Sequence, residues 1–410
     1  MAGWCSIRRT SATRGGPCSV IDYQQKMNPA VLEIPPSGIR KFFDIANEME
    51  DVISLSIGEP DFVTPWHVRQ EGIRSLEDGK TWYSPNRGFS ELRQEISRWL
   101  DRHYQVEYDP DKELLVTVGG SEAIDLCFRT LLAPGDEVLV PQPSFVCYGP
   151  LASMAGGVPV IIETKAENSF RLTPAEIEEK LTPRTKLLVL PFPNNPTGAV
   201  MRRSDLEAVA EVVRRHDLLV LSDEIYSELT YGGTPHVCFS TIEGMRERTI
   251  VVNGFSKAFA MTGWRLGYAA GPKELVAQMT KLHQYGIMCA PTTAQYAAIE
   301  ALKNGDSDIQ NMCSQYDMRR RLIVDGFNRM GLTCFEPEGA FYVFPCIRST
   351  GMTSEEFCEK LIYEQHVAVV PGPAFGACGE GFVRVSYSYS IKHITEALHR
   401  IERFLEEHRA

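Results

Sequence analysis

The chain lacks any apolar stretch approaching the roughly 18 to 20 residues that a membrane span needs, and no apolar segment of a secretory signal is visible near its start. It also lacks long Lys/Arg tracts: 42 basic residues stand against 53 acidic ones, for a net charge of -11 and a pI near 5.4. Nucleic-acid phosphates are gripped by clustered positive charge, so this balance argues against a nucleic-acid partner. The eleven cysteines are scattered from Cys5 to Cys378 without a C-x-x-C pair, which fits reduced thiols better than a disulfide framework or a zinc site. The nine histidines show no H-E-x-x-H or comparable spacing, so no catalytic metal is expected. These absences together point to the cytoplasm and to a small-molecule ligand.

What is present suffices for a large core. A chain of 410 residues with 43% hydrophobic and 23% charged residues is normally divided between two domains. Residues 1–26, "MAGWCSIRRTSATRGGPCSVIDYQQK", carry Arg8, Arg9 and Arg14 and no acid before Asp22. They have the flavour of a transit peptide, but a disordered extension, or an early start with Met27 as the working one, is the preferred reading. From about Leu114 to Gly271, apolar runs such as "LLVTV", "EVLVP", "VPVIIET", "TKLLVLPFP", "LLVLSD" and "RTIVVNG" alternate with amphipathic stretches such as "SDLEAVAEVVRRH". Continuous apolar strands separated by helices predict an α/β fold with a mostly parallel sheet covered by helices on both faces. From about Asp306 a long helical pattern, the short strands "FYVFP", "VAVVP" and "FVRVSYS", and a final helix predict a smaller α+β domain. Residues 58–305 are assigned to the large domain, and 27–57 with 306–410 to the small one.

In a parallel sheet, ligands bind beyond the carboxyl ends of the strands. "VTVGGSEAIDL" puts Gly119, Gly120 and Ser121 between a strand and a helix, where backbone amides can hold a phosphate. Taken alone, such a stretch is more often a plain turn. "LLVLSDEIY" puts Asp223 after an apolar strand, where a carboxylate needs a cationic partner or, more simply, caps a helix. Asn195 in "PFPNNPTG" offers an amide donor from a turn closed by Gly198. Lys257 follows the next strand; most lysines are solvated charges, but a desolvated amine forms Schiff bases with carbonyl compounds. Arg265, eight positions later, supplies a permanent fork for phosphate or carboxylate. A phosphate turn, an acid, an amide and a carbonyl-reactive lysine together suggest pyridoxal 5'-phosphate.

The segments "SGIRKF", "ISLSIGEPDF", "YSPNRGFSELR", "NNPTG", "SDEIY", "SKAFAMTGWRLGY", "GAFYVFP" and "FVRVSYS", in that order, resemble the class I aminotransferases of pyridoxal-phosphate fold type I. The likeness is to the broad-specificity branch with aromatic, aspartate and N-acetyl-diaminopimelate aminotransferases, and it runs from about Met27 to the end. It implies that Lys257 carries the cofactor and moves the proton, that Asp223 pairs with the pyridine nitrogen, and that Asn195 and Tyr226 bond the ring's 3' oxygen. It further implies that Phe145 stacks on the ring and that the phosphate rests on the amides of Ser121 and Glu122, with Arg265 as counter-charge. Tyr83 would reach in from the second subunit of a homodimer. Arg384 would grip the substrate α-carboxylate, helped by Asn195 and the backbone near Gly58, and the small domain would close over the substrate. Many relatives place a phosphate-binding serine three positions before the lysine; this chain has Gly254 there, with Ser256 as the possible substitute.

The expected activity is transfer of the amino group of an L-amino acid, aromatic as first choice, to a 2-oxo acid such as 2-oxoglutarate by a ping-pong scheme. Aspartate, alanine or N-acetyl-diaminopimelate are the alternative donors. The rival readings are a C-S β-lyase using the same cofactor and, more remotely, a ligand-binding regulator, for which the 26 leading residues are too few to form a winged helix.

Overall fold

The computed structural model describes residues 21–36 and 38–408. Most of the segment expected to be a disordered extension, residues 1–20, lies outside them. Residues 21–36 belong to a separate compact unit. They carry a turn at Gln24–Lys26 and a one-turn helix at Pro29–Leu32, whose amide at Ala30 is capped by Asn28.

The remaining residues form one compact unit built on a seven-stranded sheet. Its strands lie side by side in the order Leu114–Thr117, Gly267–Ala270, Thr249–Gly254, Leu219–Asp223, Thr185–Leu190, Glu137–Gln142 and Val158–Glu163. Gly267–Ala270 runs antiparallel to both its neighbours, and every other pairing is parallel. The sheet is therefore mostly parallel, as its apolar runs predict.

Alternation of side chains sorts one strand onto two layers. Leu187 and Val189 join the layer under helices Gly119–Leu131 and Lys273–Gly286. Leu188 and Leu190 join the opposite layer under helix Arg203–Arg215. Both faces are thus covered, which explains why the strands read as continuous apolar runs rather than alternating ones.

A second, three-stranded antiparallel sheet is made by Val370–Pro371, Val383–Ser386 and Tyr342–Val343. The run "VAVVP" is expected as one strand. It is instead two: Val367–Ala368 pairs in parallel with Ile53–Ser54, and Val370–Pro371 pairs with Val383–Arg384. All five residues are buried, so hydrophobicity alone carries no sign of the change of partner at Val369. Helices Asp306–Arg329 and Ile391–Glu407 pack against this part, the latter begun by Ser390 capping the His393 amide. Among the described residues no helix is long and apolar enough to cross a membrane.

Candidate active site

The carboxyl ends of the central strands open into a cavity of about 580 Å³. Most of the residues singled out in the sequence line it: Gly58, Ser121, Phe145, Asn195, Asp223, Tyr226, Lys257, Arg265 and Arg384, together with Ser256. They come from segments more than 300 positions apart, which the parallel topology and the small antiparallel sheet bring to one place.

Lys257 stands in the connection between the strands Thr249–Gly254 and Gly267–Ala270 and donates to the Gly58 carbonyl at 2.6 Å. Desolvation is the main reason its ammonium is lowered to about 8; Glu59 opposes this, while Arg384 and Arg265 add to it. A lysine in that state is a competent nucleophile near neutral pH. Asp223 ends the strand Leu219–Asp223, and burial raises it to about 6 against the hydrogen bond it accepts from Tyr148. That bond is 2.7 Å long. A buried carboxylate without a cation is costly, so the position suits a ligand that brings positive charge.

The opposite end of the cavity suits an anion. Gly119 has φ +76, and a Cβ there would lie 2.6 Å from the Arg265 guanidinium. The absent side chain lets Arg265 lie over the start of helix Gly119–Leu131. Early amides of a helix have no internal acceptor, so Gly119, Gly120 and Ser121 are available to a phosphate. Glu122 lies one position deeper, and its carboxylate turns back to the Val118 amide at 2.5 Å and to His283 Nδ1 at 2.6 Å. It is not among the lining residues. Tyr83 is also outside the lining and is 78% exposed.

Arg384 is 2% exposed. It donates to Asn195 Oδ1 at 3.0 Å and to the Ser56 carbonyl at 2.5 Å, and it lies 4.7 Å from the ring of Tyr342 and 4.8 Å from that of Phe375. Its Nε is buried without a partner, and burial lowers its pKa. Among the described residues no carboxylate lies within ion-pair distance of it. A buried guanidinium so placed is incomplete without an anion.

Two residues not singled out from the sequence belong to this site. Tyr148 holds Asp223, and Tyr342 donates to or accepts from Tyr226 at 2.8 Å. A Cβ on Gly58 would meet the Tyr342 hydroxyl at 2.6 Å, so this hydroxyl sits close against the Gly58 backbone. Both tyrosines stand inside stretches already marked, three positions after Phe145 and two after Ala340, but a core tyrosine has the same local signature. Gly254 has a local explanation too: a Cβ would lie 2.9 Å from the Gly267 Cα and 3.0 Å from the Leu266 carbonyl. Two antiparallel backbones meet there, whereas Ser256 lines the cavity.

A desolvated amine, a buried acid, an anion-ready helix start and a buried arginine without an acidic partner among the described residues thus line one cavity. Residues 50–401 match the family described as Aminotransferase class I and II, and the chain belongs to that family. It is 52% identical over 377 residues to the Bacillus subtilis protein YugH, covering 92% of this chain and 97% of that one. It is 46% identical to the aspartate aminotransferase of Pyrococcus abyssi, covering 91% and 97%. The crystal structure of the aromatic aminotransferase from Pyrococcus horikoshii superposes with a TM-score of 0.86 at 45% identity, covering 89% and 99%. The protein is thus a transferase of the pyridoxal-phosphate fold type I architecture.

Proposed function

We propose that the protein is a pyridoxal 5'-phosphate-dependent aminotransferase that takes the amino group of an L-amino acid, aromatic by preference, and delivers it to a 2-oxo acid such as 2-oxoglutarate. The observation that carries this reading is Arg384, a buried cation without an acidic partner among the described residues, lining the same cavity as a lysine lowered to about 8.

The residues present fit the cofactor. Arg265 and the amides at the start of helix Gly119–Leu131 would hold its phosphate, Asp223 its ring nitrogen, Phe145 its face, and Lys257 its aldehyde carbon. Asn195 Oδ1 is occupied by Arg384, so its Nδ2 is the donor left for the ring oxygen beside Tyr226. When bound, the cofactor supplies an electron sink for the carbanion at the substrate α carbon. The chain does the rest. Arg384 fixes the substrate carboxylate in a bidentate pair. Lys257, once free, takes the α proton on its Nζ and returns it to complete the transfer. Asp223 stays ionised beside a positive ring nitrogen, because an adjacent cation lowers a carboxylate that burial has raised.

The preference for an aromatic donor rests on what the remaining wall offers. Ile39, Tyr342 and Pro193 line it, an apolar and aromatic surface that an aromatic side chain would cover. The second reading, aspartate, is favoured by the names of several relatives; others are named for aromatic amino acids or N-acetyl-LL-diaminopimelate. Homodimerisation is part of the proposal. Trp66, Trp82, Tyr83, Tyr285, Ile287 and Met288 are exposed, and hydrogen bonds from Asn86 to Met288 and from Thr292 to Trp82 tie these segments together. Exposed apolar residues gathered this way support an interface between two copies, in which Tyr83 would serve the partner's site. The cytoplasm remains the proposed location.

The test is a panel of L-amino acids with and without 2-oxoglutarate. Glutamate formed only with acceptor present, fastest from an aromatic donor, is expected. Pyruvate and ammonia released from a cysteine conjugate without any acceptor would instead establish the lyase.

A further inference from the structure

The connection from Phe255 to Leu266 carries both Lys257 and Arg265, and its backbone is unusual. Ala260 and Arg265 both have φ +51 without being glycine. Left-handed geometry at such residues is strained and persists where the surroundings impose it. What imposes it is visible in one hydroxyl. Thr64 Oγ1 donates to the Ala260 carbonyl at 2.7 Å and accepts from Trp264 Nε1 at 3.1 Å. One hydroxyl thereby grips the connection at one left-handed residue and at the residue preceding the other. Thr64 is buried, and its own carbonyl accepts from Arg69 Nε at 2.8 Å. The Trp264 ring is seated by Gly72, where a Cβ would lie 2.7 Å from it.

We propose that Thr64 is a positioning residue that places Arg265 for the phosphate of the cofactor. It lies outside the cavity lining and acts through Trp264, the residue before Arg265, and through Ala260, which separates that end from Lys257. The inference rests on the cofactor reading above. A hydroxyl offers one donor and acceptor lone pairs; Thr64 uses both functions on this connection. Valine has the same shape and offers neither, leaving a buried carbonyl and a partly buried indole N–H without these bonds. Serine keeps both bonds.

The test titrates apo-protein with pyridoxal 5'-phosphate and, separately, with pyridoxal, which has the aldehyde and ring but no phosphate, following ligand absorbance. Thr64→Val is expected to weaken the phosphate ester about tenfold, the size of one charge-assisted hydrogen bond, while pyridoxal binds as to the native protein. Thr64→Ser should restore the native affinity. Trp264→Phe, which removes the indole donor together with part of the ring seated against Gly72, should show the same phosphate-selective loss, and it serves if the valine variant does not fold. Equal weakening of both ligands would mean that Thr64 merely stabilises the fold, and no weakening in a folded variant would also overturn the proposal. Failure of the native protein to bind pyridoxal 5'-phosphate would instead remove the cofactor reading on which it rests.

Discussion

Replacing Arg384 by methionine separates function from stability. The guanidinium is buried, no acid among the described residues neutralises it, and two of its donors bind Asn195 Oδ1 and the Ser56 carbonyl. Leaving those two acceptors unpaired costs about 1–3 kcal/mol each. Removing a buried charge that lacks a partner returns several kcal/mol, and methionine preserves much of the contact with Tyr342 and Phe375. The two effects nearly cancel, so the variant should unfold in urea within about 2 kcal/mol of the native protein. Catalysis is not spared. Loss of a desolvated bidentate pair with the substrate carboxylate removes about 3–5 kcal/mol, which lowers kcat/KM for the amino donor roughly 100- to 5,000-fold. The assays are stopped-flow absorbance of the first half-reaction and urea unfolding of the same preparation. Donor kcat/KM within about threefold of native would refute the carboxylate role. A stability loss above about 4 kcal/mol would show that the arginine is a structural residue whose charge the fold itself satisfies.

In the cofactor-free protein, the unfolded chain holds the Lys257 proton to its ordinary value while the folded chain releases it near 8. Stability should therefore rise by about 3 kcal/mol between pH 8 and 10.5. Asp223 acts in the opposite sense: folded chains keep its proton to about 6, so stability should fall as pH rises from about 4 to 6. Chemical unfolding across pH, compared with Lys257→Met and Asp223→Asn, checks both slopes. Tyr148→Phe removes the hydrogen bond that holds Asp223 down. The acid limb of the pH-rate profile should then move to higher pH, with kcat reduced about tenfold. Gly254→Ser forces a Cβ to 2.9 Å from the backbone of Gly267; thermal unfolding should show a loss of about 1–3 kcal/mol.

The central strands were legible because burial on both faces leaves unbroken apolar runs bounded by Gly, Pro and polar turns. Lys257, Asp223 and Asn195 were legible because each stands at such a run's carboxyl end, where topology sends function. Arg384 was legible only through resemblance, since an arginine within a strand reads as a surface ion pair until its burial is known. Tyr148, Tyr342 and Thr64 were not legible: their roles depend on partners 75, 116 and 196 positions away, which no local pattern encodes. The split of "VAVVP" between two sheets was hidden for the same reason, because pairing partners, not side chains, distinguish its two halves. The Glu122 carboxylate is a further case: its bond to His283 joins positions 161 apart.

The most direct test is a single turnover by protein loaded with pyridoxal 5'-phosphate and mixed with L-phenylalanine in the absence of any 2-oxo acid. The account predicts one equivalent of the aromatic 2-oxo acid per chain and then arrest, resumption on adding 2-oxoglutarate, and no product from Lys257→Ala. Continued product formation without an acceptor, or a native-sized burst from Lys257→Ala, would contradict it.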